Sequence, residues 1–145
     1  MIVSIGVDHR GFIIKDIIID CLKEINAGII DRGTFSRESV DYPDFAALVA
    51  DDVQSGQSDY GILVCDSGIG MSIAANRYKS IRAAYVVSRE MASAARRHNN
   101  ANILVLGVKT VESSRICPII NKFLNEQFEG GRHQRRIEKL EELIS

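Results

Sequence analysis

The stretch from Gly61 to Arg77, GILVCDSGIGMSIAANR, constrains the fold more than any other part of the chain. Its apolar run Ile62-Leu63-Val64 predicts a buried strand closing on Cys65. Asp66-Ser67-Gly68-Ile69-Gly70 predicts a tight turn, and Met71 to Asn76 favours a helix. In open α/β sheets the crevice beyond such a strand end is where ligands bind. Backbone amides freed at the helix start favour negative charge there, and a thiol held beside them is favoured as thiolate. The segment is therefore the candidate catalytic centre. A plainer reading stands beside this one, because a lone cysteine after an apolar strand is commonly inert core. The glycine spacing is not G-x-G-x-x-G and lacks the Lys-Ser/Thr pair of a nucleotide phosphate loop. A cysteine phosphatase would close its loop with an arginine, and the next one here is Arg77.

Around this unit, Met1 to Val7 alternates into a first strand, and Asp8-His9-Arg10-Gly11 turns out of it. Phe12, Ile13, Ile17, Cys21, Leu22 and Ile25 mark the buried stripe of a helix, making Cys21 a core residue, and Gly28 ends it. Ile29-Ile30 is a second short strand, and a polar loop from Arg32 to Tyr42 leads to Pro43, placed to open a helix through Val53. Arg82 to Val87 predicts a fourth strand. Ser88 caps the next helix, with Glu90 in its first turn and Met91, Ala94, Ala95 and His98 at helical spacing. Asn102 to Leu106 is a fifth strand, ended by Gly107. Ile116, Ile119, Ile120, Phe123 and Leu124 then predict an amphipathic helix with Pro118 near its first turn. Gly130-Gly131 breaks the chain before a charged helix carrying Ile137, Leu140 and Ile144. This alternation predicts an α/β protein: a three-layer α/β/α sandwich on a five-stranded parallel sheet, one domain over residues 1–145.

The net charge of −1, with 46% hydrophobic and 26% charged residues, argues against nonspecific attraction to nucleic acid or membrane. No apolar run approaches the roughly 18 residues of a membrane span, and Met1 leads directly into a strand. Cys21, Cys65 and Cys117 are odd in number and far apart, a pattern of neither a disulfide framework nor a zinc site. The expectation is a cytoplasmic protein. The last helix, poor in apolar residues and set behind a double glycine, is expected to reach over a partner subunit.

Strand ends of such a sheet collect on one edge, so Asp8, His9, Cys65 to Gly70 and, just before the fifth strand, His98-Asn99 are expected to share one cleft. His98 can equally complement its helix dipole, and His9 can be a turn residue with its ring hydrogen-bonded nearby. His133 sits in a charge run and receives no role. Arg96-Arg97 and Arg132, Arg135, Arg136 read as solvated helix faces. The alternative is a phosphate clamp, for which Arg132 and Arg136, four apart, share a face and Arg135 does not.

GVDHRGFIIK, SVDYPDFA, GILVCDSGIGMSIAANR, RHNNANILVLG and FEGGRHQRR, in this order, resemble the type B ribose-5-phosphate isomerases (the RpiB/LacAB sugar-phosphate isomerases) over nearly the whole chain. The resemblance implies a Rossmann-like α/β/α fold and an aldose–ketose isomerase acting through an enediolate without metal or cofactor. It also implies active sites between two subunits of a homodimer, or of a dimer of dimers. By position, Cys65 matches the base, and Ser67 and His98 match residues that help open the sugar ring. The amides of Asp66, Ser67, Gly68, Ile69 and Gly70 match an anion hole. Asp8 and Asn99 match residues that bind sugar oxygens, and Tyr42 one that lines the pocket. His9, Arg132 and Arg136 match phosphate ligands, the arginines arriving from the neighbouring subunit. One branch of the family places a glutamate base where this chain has Met71, so the pattern here is the cysteine type.

Three positions depart from the pattern. Asp66 stands where glycine is common and, unless it faces solvent, puts negative charge beside the thiol. Arg10 replaces a small residue after the Asp-His pair. Lys109 stands where an arginine often holds phosphate, keeping the charge without the bidentate fork. Hexose 6-phosphates (allose or galactose 6-phosphate) are the alternative substrates within the family. Outside it, the alternative is a non-enzymatic sugar-phosphate-binding module, which would need the turn and arginines but not Cys65 with His98.

Overall fold

A computed structural model describes residues 1–144, so Ser145, the last residue of the expected domain, lies outside the described residues. Five strands form one parallel sheet: β1 (Ile2–Val7), β2 (Gly28–Asp31), β3 (Tyr60–Cys65), β4 (Ala83–Tyr85) and β5 (Ile103–Gly107), in the spatial order β2-β1-β3-β5-β4. The helices are α1 (Lys15–Glu24), α2 (Tyr42–Gln54), α3 (Ile69–Ala75), α4 (Arg89–Asn99), α5 (Ser113–Asn125) and α6 (Arg132–Glu141). The expected α/β class and five-stranded parallel sheet are those observed. Strand order reverses between β1 and β3, which opens the crevice of such sheets beyond their carboxyl ends.

Period-two alternation divides β3 between two cores. Ile62 and Val64 pack with Ile18, Leu22, Ile116 and Phe123 on the α1/α4/α5 face. Leu63 and Cys65 pack with Ala46, Val49, Met71 and Ala75 on the α2/α3 face. Cys65 is thus directed to the α2/α3 layer by strand parity.

The stripe expected for α1 is shifted. Ile13 and Ile25 are exposed, whereas Ile14 and Ile18 are buried. A tight 3-10 turn at Gly11–Ile14 precedes the α-helix and resets its phase. Asn26, at φ 57°, makes the left-handed turn after α1, so Gly28 begins β2 instead of ending the helix. α5 starts at Ser113, which puts Pro118 beyond the first turn, where Ser114 loses its intrahelical partner.

The cysteine expectation is also corrected. Cys21 and Cys117 form a disulfide with Cα atoms 5.5 Å apart, inside the range such bonds require. Cys21 is in the core as expected, but α1 and α5 lie side by side on one face, a proximity that a separation of 96 residues does not reveal. Cys65 is the free cysteine.

On the opposite face, Asp52 of α2 is 1% exposed and joins β1 to the segment just after β2. It accepts from Ser4 Oγ at 2.6 Å and from Arg32 Nε and Nη2 at 2.8 and 2.6 Å. The Arg32 hydrogen bonds hold its carboxyl below the usual carboxylate range. Because the folded-state pKa is depressed, this stabilisation is full above the ordinary carboxylate pKa and is lost as pH falls through the folded value. Asp52→Ala is expected to cost about 3 kcal/mol, the lower end for breaking a buried pair, since Arg32 still reaches solvent. Urea melts at neutral pH test this. A cost below about 1 kcal/mol would mean that water replaces the pair.

Candidate active site

The carboxyl edge of the sheet gathers most of the expected residues. Cys65 closes β3 and is 4% exposed. Its carbonyl accepts from Val108 N at 3.0 Å, tying the strand end to the segment after β5. Gly68 takes φ +81°, a left-handed conformation that lets the chain double back into α3. A Cβ on Gly68 would lie 2.6 Å from the Tyr85 ring, and one on Gly70 would lie 2.6 Å from the Tyr42 ring. Tyr42, at the start of α2, thus lies over the loop. Ile69 N donates to Ser67 Oγ at 3.2 Å, so this one of the expected hole amides is already engaged.

Asp8 and His9 follow β1 to the same edge. Asp8 is 6% exposed, and its Oδ1 accepts from the amides of Arg10 and Gly11 at 3.0 and 2.9 Å, fixing the turn out of β1. His9 Nδ1 accepts from Val40 N at 3.2 Å, which sets the proton of the neutral ring on Nε2. This is the ring hydrogen bond of the turn-residue reading of His9, and it leaves Nε2 as the ring's donor.

The three departures from the family pattern converge on one cluster. Asp66 Oδ2 lies 3.0 Å from Lys109 Nζ, and Asp66 Oδ1 lies 3.2 Å from Arg10 Nε. Lys109 first, and then Arg10, hold the Asp66 carboxyl below the usual carboxylate range. The carboxylate feared as a charge beside the thiol is therefore flanked by two cations. Lys109, expected to bind phosphate, is paired with Asp66 here.

His98 and Asn99 do not join this set within one chain. They end α4 beside the start of β5, because a crossover helix runs antiparallel to the strands and returns the chain to their amino ends. Cys65 lies at the far end of β3, about 16 Å away along the six-residue strand at ~3.3 Å per residue. The single cleft expected for one chain is thereby corrected: its residues fall into two groups on opposite edges of the sheet.

α6 packs at the His98 edge. Arg82 Nη1 meets Glu141 Oε1 at 2.7 Å, Ile137 is buried, and Arg132 and Arg136 are exposed on one face. His133, given no role from sequence, is buried with its ring stacked on His98, centroids 4.6 Å apart and planes 19° from parallel. Burial first, and then Arg132, lower its pKa, which keeps the ring neutral at pH 7. Arg96 is not a solvated residue either. It is 7% exposed, with its guanidinium 4.9 Å from the Tyr60 ring centroid and Nη1 donating to Ala101 O. Arg97 pairs with Glu129 at 3.2 Å.

Residues the sequence reading missed are Tyr85, whose hydroxyl is 2.9 Å from Thr110 Oγ1, and the Arg97–Glu129–His133 group. Glu129 and His133 stand inside FEGGRHQRR, so their placement around the glycine pair was the signal available.

The chain is similar to known proteins over nearly its whole length. The family described as Ribose/Galactose Isomerase matches residues 3–140. Ribose-5-phosphate isomerase B of Escherichia coli (strain K12) is 42% identical over 138 residues, covering 95% of this chain and 93% of the relative. The structure of Clostridium thermocellum ribose-5-phosphate isomerase B superposes with TM-score 0.97 at 45% identity, covering 99% of this chain and 97% of that one. The Mycoplasma genitalium ribose-5-phosphate isomerase B structure, with bound ribulose-5-phosphate, gives TM-score 0.92 at 44% identity over 98% and 95% of the two chains.

Proposed function

This chain belongs to the Ribose/Galactose Isomerase family, and from that premise we propose that it interconverts ribose 5-phosphate and ribulose 5-phosphate in the non-oxidative branch of the pentose phosphate pathway. The observation that carries the reading is a free cysteine closing β3 directly before the Asp66–Gly70 loop, with Tyr42 lying over that loop. His98, with Ser67, assists ring opening: the C1–O4 bond breaks, O4 gains a proton and O1 loses one. The Cys65 thiolate then takes the proton from C2, and the electrons move through C1=C2 onto O1. Loop amides aimed at that oxygen stabilise the enediolate without reorganising. Return of the proton to C1, with transfer of the O2 proton to O1, completes the isomerisation. Exposed Arg132 and Arg136 hold the phosphate, which positions the reacting carbons.

We further propose a cytoplasmic homodimer in which the Cys65 edge of one protomer meets the His98 edge of its partner. The separation of the two half-sites within one chain supports this. So do Ile69 and Ile73, 60% and 56% exposed on one face of α3 beside the carboxyl edge, an apolar surface suited to a second copy. Among the described residues no helix is long and apolar enough to cross a membrane.

Subunit complementation tests both parts. Cys65→Ala and His98→Asn proteins, each nearly inactive on ribose 5-phosphate, are unfolded together and refolded as a mixture. Every mixed dimer then contains one intact site, so activity should recover to about a quarter of wild type with random two-fold pairing. No recovery, with mixed dimers present by mass, would rule out shared sites.

A further inference from the structure

His98 stands on the partly exposed end of α4, where an unaided imidazole would sample several rotamers. Three side chains restrict it. Arg97 Nη2 lies 3.2 Å from His98 Nε2, and arginine has only donors, so this nitrogen must accept and the neutral ring carries its proton on Nδ1. Arg97 is held in turn by Glu129, Nε to Oε2 at 3.2 Å, and the Glu129 amide donates to Arg97 O at 3.0 Å. His133 lies flat against the His98 ring. Gly130 and Gly131, at φ +69° and +60°, carry the chain from Glu129 into α6 so that His133 falls in its first turn. A Cβ on either glycine would meet nothing within 4 Å, so backbone conformation selects glycine here, not crowding.

We propose that Arg97, Glu129 and His133 are positioning residues for His98, the stacked ring fixing its plane and the guanidinium–carboxylate pair fixing its tautomer, so that Nδ1 is the nitrogen offered to the sugar. The inference rests on the reading of His98 as a ring-opening group. The donor atoms of His98, Glu129 and His133 also lie within 4.8 Å of one another. Near-parallel rings, however, hold their lone pairs side by side instead of aiming them at one point, and Arg97 already faces His98 Nε2. The arrangement suits a held imidazole better than a cation. Among the described residues nothing hydrogen-bonds the buried His133 Nε2, which is tolerable for a ring that serves by its face.

The test separates ring opening from proton abstraction. Ribulose 5-phosphate carries its phosphate on the only hydroxyl able to close a five-membered ring, so it is an open chain. Exchange of its C1 hydrogen with D2O, followed by NMR on the full-length protein, needs the base but no ring opening. His133→Ala should lower kcat for ribose 5-phosphate isomerisation roughly 10- to 100-fold, as misplacement of a catalytic group does. KM and the exchange rate should stay within about twofold. His133→Phe, restoring a flat face, should recover most of the loss. Glu129→Gln, at an exposed carboxylate, should show the same split and carries the test if His133→Ala does not fold. Equal losses in isomerisation and exchange, no loss at all, or a phenylalanine no better than alanine would each overturn the proposal. His98→Asn run alongside should lose isomerisation and keep exchange. If it does not, the ring-opening reading fails and takes this inference with it. If it does while the His133 and Glu129 variants show no split, the positioning role alone fails.

Discussion

Cys65→Ala is expected to lower isomerisation of ribose 5-phosphate by roughly 10³-fold or more, within the range that a positioned general acid or base contributes and above. It should also abolish C1 hydrogen exchange in ribulose 5-phosphate, because the thiolate is the group proposed to move that proton in both directions. Sugar phosphate binding should persist, since Arg132 and Arg136 belong to the other edge of the sheet. The fold should persist as well. The substitution removes one sulfur from a position already lined by Leu63, Met71 and Ala75, where local packing can close around it. Cys65→Ser is the sharper variant: it keeps the shape and removes the accessible thiolate, so it should be nearly as inactive. Turnover within about tenfold of wild type in either protein would remove the thiol from the base role. Inactivity together with lost binding would show that the change acts through structure instead.

The second large effect concerns stability and lies away from the site. The bond from Cys21 to Cys117 closes a loop spanning a sequence separation of 96 residues, so its removal should cost about 4.7 kcal/mol by the chain-entropy account. For a chain of this length, that is a drop in Tm of roughly 9–19 °C. Oxidised wild type should melt above wild type in dithiothreitol, and Cys117→Ser should match the reduced protein and be indifferent to reductant. Protein concentration must be held constant, because the Tm of the proposed dimer depends on it. Activity per folded molecule should not change, as both cysteines lie on the α1/α5 face, away from the layer that Cys65 faces. Identical melting with and without reductant, with both thiols open to alkylation, would contradict the bond. In a reducing compartment the pair would be held as thiols, so the gain belongs to the oxidised protein.

Most of the architecture was legible from local pattern. Short apolar runs ending in turn residues gave the five strands, and the Ser88 cap was read correctly, its Oγ accepting from Met91 N at 3.1 Å. The buried face of α5 fell on the five residues expected. The exceptions were phase errors at element starts. At α1, a 3-10 turn rotated the stripe, which periodicity over so short a helix does not report. Half of the candidate site was legible too, because Asp8, His9, Cys65 and the glycine loop all lie at strand ends, and strand ends of a parallel sheet share an edge.

By itself the sequence determined the order of strands and helices, the thiol at the end of β3 and the motifs that mark the family, because each depends on neighbours along the chain. Only the tertiary structure decided that His98 faces away from Cys65, since the direction of α4 relative to the sheet separates two residues that both adjoin strands. It also decided that Cys21 meets Cys117, that Arg10 and Lys109 flank Asp66, and that His133 lies under His98 instead of in solvent. These pairings join residues far apart in the chain, and their distances are set by how layers pack, a property no single segment carries.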